Sequence, residues 1–390
     1  MQEFDVLICG AGPAGSTCAL GLFDSGLKVA LLDKHAFPRE KICGDAYGGY
    51  AFKILNTISP AFGKKLLDIN AGAVAKRAKL ISPKGHTIEI GLKGFFANLP
   101  RLVFDNFLLN MVRTETKTHI FENTSVRKVM VEKDHVLVTT VDNEIFKTKM
   151  LIGCDGAHSV VQSALTNTRE LLTDSCPGLR AYYKNVKGVE QDCLELHLIN
   201  EIPKGYFWIF PSTDGLSNVG IGGDKAVLKK HKINLRKEFL DLMQQSAQFK
   251  ERFAEAELVG DIKGWTIPLG YFDSKLPASG NRILLCGDAA ALVDPATGEG
   301  IGPAMSSGRF AAQHIKACFK NDNFSAKFMK VYDRQIYKKY HSNYFYKTAI
   351  ANLYYKSPFL MDWAVWVFDK INKMKRKRAL IKRLLVLNDK

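Results

Sequence analysis

The apolar positions of the chain follow one pattern at its start and a different one through its middle. Residues 4–9, Phe-Asp-Val-Leu-Ile-Cys, form a short and nearly unbroken apolar run that ends in glycines, the form of a parallel strand buried on both faces. Gly15 to Asp24 then carries helical spacing, and Val29-Ala-Leu-Leu is a second buried strand. Segments 118–133, 135–142 and 144–152 instead alternate apolar and polar side chains, which predicts a three-stranded meander. Residues 178–186, 193–199, 205–212 and 216–223 are rich in aromatic and β-branched side chains and predict a second, mostly antiparallel sheet. A buried strand returns at Arg282–Cys286, a helix follows Gly300, and from Phe324 onward the pattern is helical, aromatic and basic.

Composition adds little to this, but charge does. At 390 residues, with 46% hydrophobic and 24% charged side chains, the chain has an ordinary globular make-up that excludes disorder and allows two interleaved domains. The formal charge of +16 is unevenly spread. Asn321–Lys390 holds 16 Lys/Arg against 5 Asp, a net of +11, so the basicity belongs to a C-terminal segment and not to an active site. Eight cysteines show no metal-ligand spacing, and several lie in apolar runs, as buried thiols of a reducing compartment do. No leader is expected before the first strand, and no apolar run approaches the roughly 20 residues that span a bilayer. The chain is expected in the cytoplasm, or peripheral on the inner face of the membrane.

The chemistry starts at Gly10-x-Gly12-x-x-Gly15. Such a triplet is weak alone, but here a strand precedes it, a helix follows, and the second strand ends in Asp33. Gly10 permits the tight turn, Gly12 lets a pyrophosphate approach the backbone, and Gly15 lets the helix pack on the sheet with its amino end toward the phosphates. Asp33 is placed to accept hydrogen bonds from ribose hydroxyls, and Ala14 and Lys34 belong to the same binding unit.

The unit by itself does not separate FAD from NAD. Leu151-Ile-Gly-Cys-Asp-Gly-Ala-His-Ser159 resembles the Asp-Gly motif of the flavoprotein hydroxylases, and Ile283-Leu-Leu-Cys-Gly-Asp-Ala-Ala290 resembles their later Gly-Asp motif. The resemblance implies FAD, with Asp155 and Gly156 at the cofactor and Asp288 on the flavin ribitol. Three further stretches are similar to the geranylgeranyl reductase family. They are Phe37-Pro-Arg-Glu-Lys-Ile-Cys-Gly-Asp45, Gly205-Tyr-Phe-Trp-Ile-Phe-Pro211, and the Asp288–Gly308 stretch with Pro295-Ala-Thr-Gly-Glu-Gly-Ile301. The likeness runs over roughly residues 1–310. It implies a flavoenzyme that saturates isolated double bonds of isoprenoid chains by hydride transfer.

It also implies roles. Arg39, Cys43, Gly44 and Arg101 match positions that contact FAD. Pro295, Gly298, Gly300 and Ile301 shape a loop beside the flavin pyrimidine, where helix-terminal amides would stabilise negative charge. Glu299 in that loop reads either as a catalytic acid or as a solvated carboxylate. Tyr206 and Trp208 alternate with Phe210 along a strand and share one face, suited to the wall of a lipid tunnel or simply to a sheet core. Cys43, close to substrate and flavin by the resemblance, orients the alkene or relays a proton, or else is a small packing residue before Gly44. Cys43, Tyr206 and Trp208 are the candidate catalytic residues, and no metal site is expected. Gln162 stands where many relatives carry Arg, so the electron donor stays open between a ferredoxin and NAD(P)H.

The predicted fold is α/β: a Rossmann-type FAD-binding domain interleaved with a mostly antiparallel β-sheet substrate domain, plus a C-terminal helical segment. The expected boundaries are 1–75, 100–165 and 275–320 for the first, 76–99 and 166–274 for the second, and 321–390 for the third. In the last, the apolar aromatic run Phe359–Phe368 precedes Lys370, Lys373, Lys375, Arg376, Lys377, Arg378, Lys382 and Arg383. That pairing suits an anionic membrane surface, an anionic lipid headgroup, or a helical cap with a solvated basic end. No nucleic-acid recognition fold accompanies the charge. Two other functions use the same cofactor motifs: a monooxygenase or halogenase acting on an aromatic substrate, and a non-catalytic lipid-binding flavoprotein.

Overall fold

The computed structural model describes residues 1–69, 73–92, 96–166, 174–270, 277–357, 359–360 and 362–370. The opening run becomes strand β1 (Gln2–Cys9), followed by helix α1 (Pro13–Gly21) and strand β2 (Val29–Leu32). After β3 (Arg77–Ile81) and β4 (Thr87–Gly91) come helix α2 (Arg101–Glu115) and strands β5 (His119–Phe121), β6 (Val126–Val131), β7 (Val136–Thr140) and β8 (Ile145–Gly153). The short helix α3 (Val160–Thr166) leads to β9 (Ser175–Lys184), β10 (Cys193–His197), β11 (Gly205–Pro211) and β12 (Ser217–Gly223). Helix α4 (Leu235–Gln245), β13 (Glu257–Pro268), β14 (Ile283–Leu285), α5 (Ile301–Lys320) and α6 (Ala326–Lys356) complete the order.

These elements fall into two compact units. The first comprises Met1–Gly72, Leu99–Pro177 and Trp265–Ala349. Its central sheet is parallel, in the order β14-β8-β1-β2-β5, with β7 and β6 added antiparallel beside β8. Val6 sits opposite both Met150 and Val29, so β1 is the central strand and its residues from Val6 to Cys9 are buried on both faces. Phe4, Leu7, Leu32, Phe146, Leu151 and Leu285 form part of one continuous core beside it.

One sequence expectation changes here. Segment 118–133 is not one strand of the meander but two. It breaks at Asn123, which takes a left-handed φ of 54°, and Thr124 N–H donates to the Asp33 carbonyl. The residues before the break, β5, pair in parallel with β2. The meander itself is β6-β7-β8.

The second unit comprises Ala73–Asn98, Gly178–Gly264 and Ile350–Lys390. Its seven-stranded sheet runs β13-β9-β12-β11-β10-β3-β4, antiparallel where β9, β12, β11 and β10 meet. Phe207 and Ile209 of β11 point to the face covered by α4, where they meet Phe239, Leu242 and Met243. Tyr206, Trp208 and Phe210 take the opposite face by the two-residue period of a strand.

Candidate active site

The three glycines of the first turn are needed for three different reasons. Gly10 has φ of 101°, and a Cβ on it would lie 2.2 Å from the Cys154 carbonyl oxygen. A Cβ on Gly15 would lie 1.8 Å from the Gly10 oxygen. At Gly12 the nearest atom would be Arg39 Nη2 at 3.4 Å, so this glycine faces space that the protein leaves open. Helix α1 begins at Pro13 with no side-chain cap, and its first amides are unsatisfied donors beside that space. An anion fits there. Asp33 is held rigidly, its Oδ2 accepting from Ala11 N–H at 2.8 Å and its Oδ1 from His35 N–H at 2.9 Å. Lys34 is exposed, whereas Ala14 is buried against Gly308 and Gly287.

At the carboxyl end of β14, Gly287 turns with φ of 60° and its N–H donates to Ser307 Oγ at 3.0 Å. Half-buried Asp288 follows, and among the described residues its carboxylate has no hydrogen-bond partner. Asp155 is different. Its carboxylate accepts from Ser159 Oγ at 2.5 Å and from the Val160 and Val161 amides at 2.7 and 3.2 Å, which fastens the start of α3. Burial raises its pKa against those bonds. Gly156, at φ of 80°, faces open space.

The loop from Pro295 to Gly300 is built on a residue that the sequence reading missed. Asp294 is 3% exposed. Its Oδ1 accepts from Ala296 and Thr297 N–H at 3.0 and 3.2 Å, and its backbone exchanges bonds with Glu299 and Gly298. Its other oxygen pairs with Lys347 of α6, and the Tyr344 hydroxyl of the same helix donates to the Leu292 carbonyl at 2.6 Å. Asp-Pro is a turn signal that could have marked Asp294. Nothing local marks Tyr344 or Lys347, some fifty residues away in sequence. Glu299 is not a solvated carboxylate: it is half-buried, burial raises its pKa, and Oε1 accepts from Gly302 N–H at 2.8 Å. It therefore caps α5, just before buried Ile301.

Cys43 lies among cations. Arg101, 8% exposed, grips Asp105 through two bonds of 2.7 and 2.8 Å and also donates to the Cys43 sulfur. Arg39 Nη2 joins the same carboxylate at 3.2 Å. The two arginines thus form a buried bridge through Asp105. Lys41 completes the group, with Nζ 4.1 Å from the centre of the Trp265 ring. Burial pulls its pKa down to about 8, with the Asp288 charge opposing.

In the second unit, the Tyr206 and Trp208 ring centres are 5.8 Å apart, and those of Trp208 and Phe210 are 6.3 Å apart. Trp208 Nε1 donates to Asn218 Oδ1 at 2.9 Å, and its ring occupies the space over Gly220, where a Cβ would stand 2.0 Å from Cζ2. A surface cavity of about 430 Å³ in this unit is lined by Lys79, Glu195, His197 and Arg252, among others. It offers no free imidazole, because His197 Nε2 pairs with Glu195 at 3.0 Å and Nδ1 with Gln248 at 2.8 Å.

A dinucleotide carrying flavin fits the first unit: an open glycine at an uncapped helix start, a fixed Asp33, and an unpartnered Asp288. Comparison with known proteins agrees. Residues 5–41 match an FAD-binding domain family and residues 174–259 match the geranylgeranyl reductase catalytic domain. The digeranylgeranylglycerophospholipid reductase of Methanocella arvoryzae is 28% identical over 351 residues, 86% of this chain and 83% of its own. The enzyme of that name from Thermoplasma acidophilum is 27% identical over 353 residues, 87% of this chain and 85% of its own. Among solved structures, a geranylgeranyl bacteriochlorophyll reductase-like protein from Thermoplasma acidophilum superposes with a TM-score of 0.77 at 25% identity, covering 91% of this chain and 88% of that one. The halogenase PltM in complex with phloroglucinol and FAD gives 0.75 at 19% identity, covering 93% and 78%, a likeness of fold alone. The chain is an FAD-dependent oxidoreductase, similar in residues 174–259 to the geranylgeranyl reductase catalytic domain.

Proposed function

We propose that the enzyme saturates isolated double bonds of an isoprenoid lipid or quinone chain. The observation that carries this reading is the aromatic face Tyr206-Trp208-Phe210, which lies within the stretch that matches the catalytic domain. Bound FAD, once reduced by an electron donor, would supply hydride. The chain's own residues do the rest. Gly10, Gly12, Ala14, Gly15 and the amides of α1 take the pyrophosphate, with Arg39 beside Gly12. Asp33 and Lys34 hold the adenosine end and Asp288 the ribitol. Arg101, Asp155 with Gly156, and the loop of Pro295, Gly298, Gly300 and Ile301 shape the rest of the bed. An unactivated alkene has no carbonyl to hold developing charge, so the site must be dry and must hold the chain close. Tyr206 and Trp208 offer the apolar surface for this. Cys43 orients the alkene or gives a proton from Sγ, the charge left on sulfur being held by the Arg101 guanidinium.

The test is anaerobic turnover of purified enzyme with digeranylgeranyl glycerolipids, polyprenyl pyrophosphates and menaquinones, read by mass spectrometry. The expected result is a mass gain of two hydrogens per bond reduced. Strict dependence on oxygen, or product formed only from an aromatic substrate, overturns the reading. Both reduced ferredoxin and NAD(P)H are supplied as donors. Gln162 is buried and its amide is turned onto Thr166 at 2.9 Å, an arrangement unlike that of a phosphate-binding arginine.

The physical partner we propose is an anionic membrane surface. In the helical residues 362–370, Asp362 and Val365 are buried while Trp363, Trp366 and Phe368 are exposed, as is Phe359 just before them. Outward tryptophans followed by a basic run suit an interface, not a span. No helix among the described residues is long and apolar enough to cross a membrane. Co-flotation with vesicles containing anionic lipid, and not with neutral ones, is the expected outcome.

A further inference from the structure

We propose that Lys41 is the cation that stabilises the reduced cofactor, an ammonium set on the face of Trp265 and kept free of any carboxylate partner so that it can receive charge from the flavin. Three cations, Arg39, Lys41 and Arg101, cluster around Cys43. The two arginines share Asp105. Among the described residues Lys41 has no carboxylate within salt-bridge distance, only the indole at 4.1 Å and the more distant charge of Asp288. A largely buried ammonium without an ion-pair partner is costly, and its depressed pKa expresses that cost. An anion that arrives in the working enzyme removes the cost.

Two parts of FAD could be that anion. The pyrophosphate belongs at Gly12, where Arg39 already stands. Lys41 instead feels Asp288, at the carboxyl end of β14, where the ribitol is placed in the reading above. The flavin ring follows the ribitol. The ring is neutral when oxidised and carries negative charge when reduced, so a nearby fixed cation favours the reduced form. This inference rests on the proposed placement of ribitol at Asp288.

The experiment compares wild type with Lys41→Met, Lys41→Arg and Asp288→Asn. Fluorescence titration of apoprotein gives the affinity for oxidised FAD, and dye equilibration gives the two-electron midpoint potential. Lys41→Met is expected to bind oxidised FAD nearly as wild type does, but reduced FAD at least tenfold more weakly. For a two-electron couple a tenfold selective loss lowers the midpoint by about 30 mV. Lys41→Arg is expected to stay near the wild-type potential. The Lys41→Met apoprotein is expected to melt no lower than wild type, since an unpaired buried charge has gone; a lower melt would mark Lys41 as a structural clamp for Trp265 and overturn the proposal. An unchanged midpoint, or equal weakening of both redox forms, also overturns it. If Asp288→Asn binds oxidised FAD as tightly as wild type, it is the ribitol placement that fails. If Asp288→Asn binds weakly while Lys41→Met leaves the potential unmoved, only the Lys41 inference fails.

Discussion

Gly308→Ala sets two known effects against each other. Gly308 lies inside α5, where Ala is intrinsically favoured over Gly by about 1 kcal/mol. On propensity alone the variant should be more stable. The structure says otherwise. A Cβ at 308 would stand 2.2 Å from the Ala14 carbonyl oxygen, 3.1 Å from its carbon and 3.2 Å from the Cys18 amide nitrogen. Those atoms are α1 backbone and cannot rotate away. Relief requires α1 to move off α5 by roughly 1 Å, and overpacking of that kind costs about 1–3 kcal/mol. Gly21 faces Ala312 in the same interface, where an added Cβ would lie 2.6 Å away, so the seam has little slack. The net expectation is a loss of up to about 2 kcal/mol in urea unfolding of the apoprotein. Because Gly12 caps α1 and the proposed phosphate site lies at that helix start, FAD affinity should fall about tenfold, equivalent to about 1.4 kcal/mol. A Gly308→Ala protein with raised stability and unchanged FAD affinity would refute the close-packed seam as the reason for glycine.

Three other outcomes are expected. Gly220→Ala puts a Cβ 2.0 Å from the Trp208 ring, so the indole must leave its place and its Asn218 bond; turnover of an isoprenoid substrate should drop while FAD titration is unchanged. Asp294→Ala removes the partner of half-buried Lys347 and of two loop amides, at a cost of about 1.5–3 kcal/mol for the lost charge-assisted bonds, visible as a lower denaturation midpoint and weaker FAD binding. Burial pushes the Glu195 carboxyl up, but bonds to His197 and Arg252 outweigh it and hold it down at about 2. Its folded pKa is depressed, so its contribution is present above the ordinary value near 4.5 and is lost as pH falls toward 2. Wild type should shed about 3 kcal/mol over that window, and Glu195→Gln should lack that part of the acid slope. Equal slopes in acid titrations of stability would count against the buried network.

The dinucleotide unit was fully legible along the chain because its parts are local. Strand, turn, helix and Asp33 lie within about thirty residues, and each glycine answers a backbone demand that sequence spacing encodes. The same holds for the alternating face of β11, which period two fixes without reference to any partner. Segment 118–133 misled because strand propensity does not say which neighbour a strand pairs with, and β5 went to β2. Glu299 stayed ambiguous in sequence because exposure is a property of packing. Asp294 with Lys347 and Tyr344, and Lys41 on Trp265, were invisible for a related reason: an ion pair, a hydrogen bond or a ring contact across long sequence separation leaves no periodic trace. The sequence by itself determined a dinucleotide-binding unit and the backbone turns that suit it, since those depend on residues adjacent in the chain. Only the tertiary structure decided which charges are paired and which are left free for a ligand, because pairing depends on distances that folding alone sets.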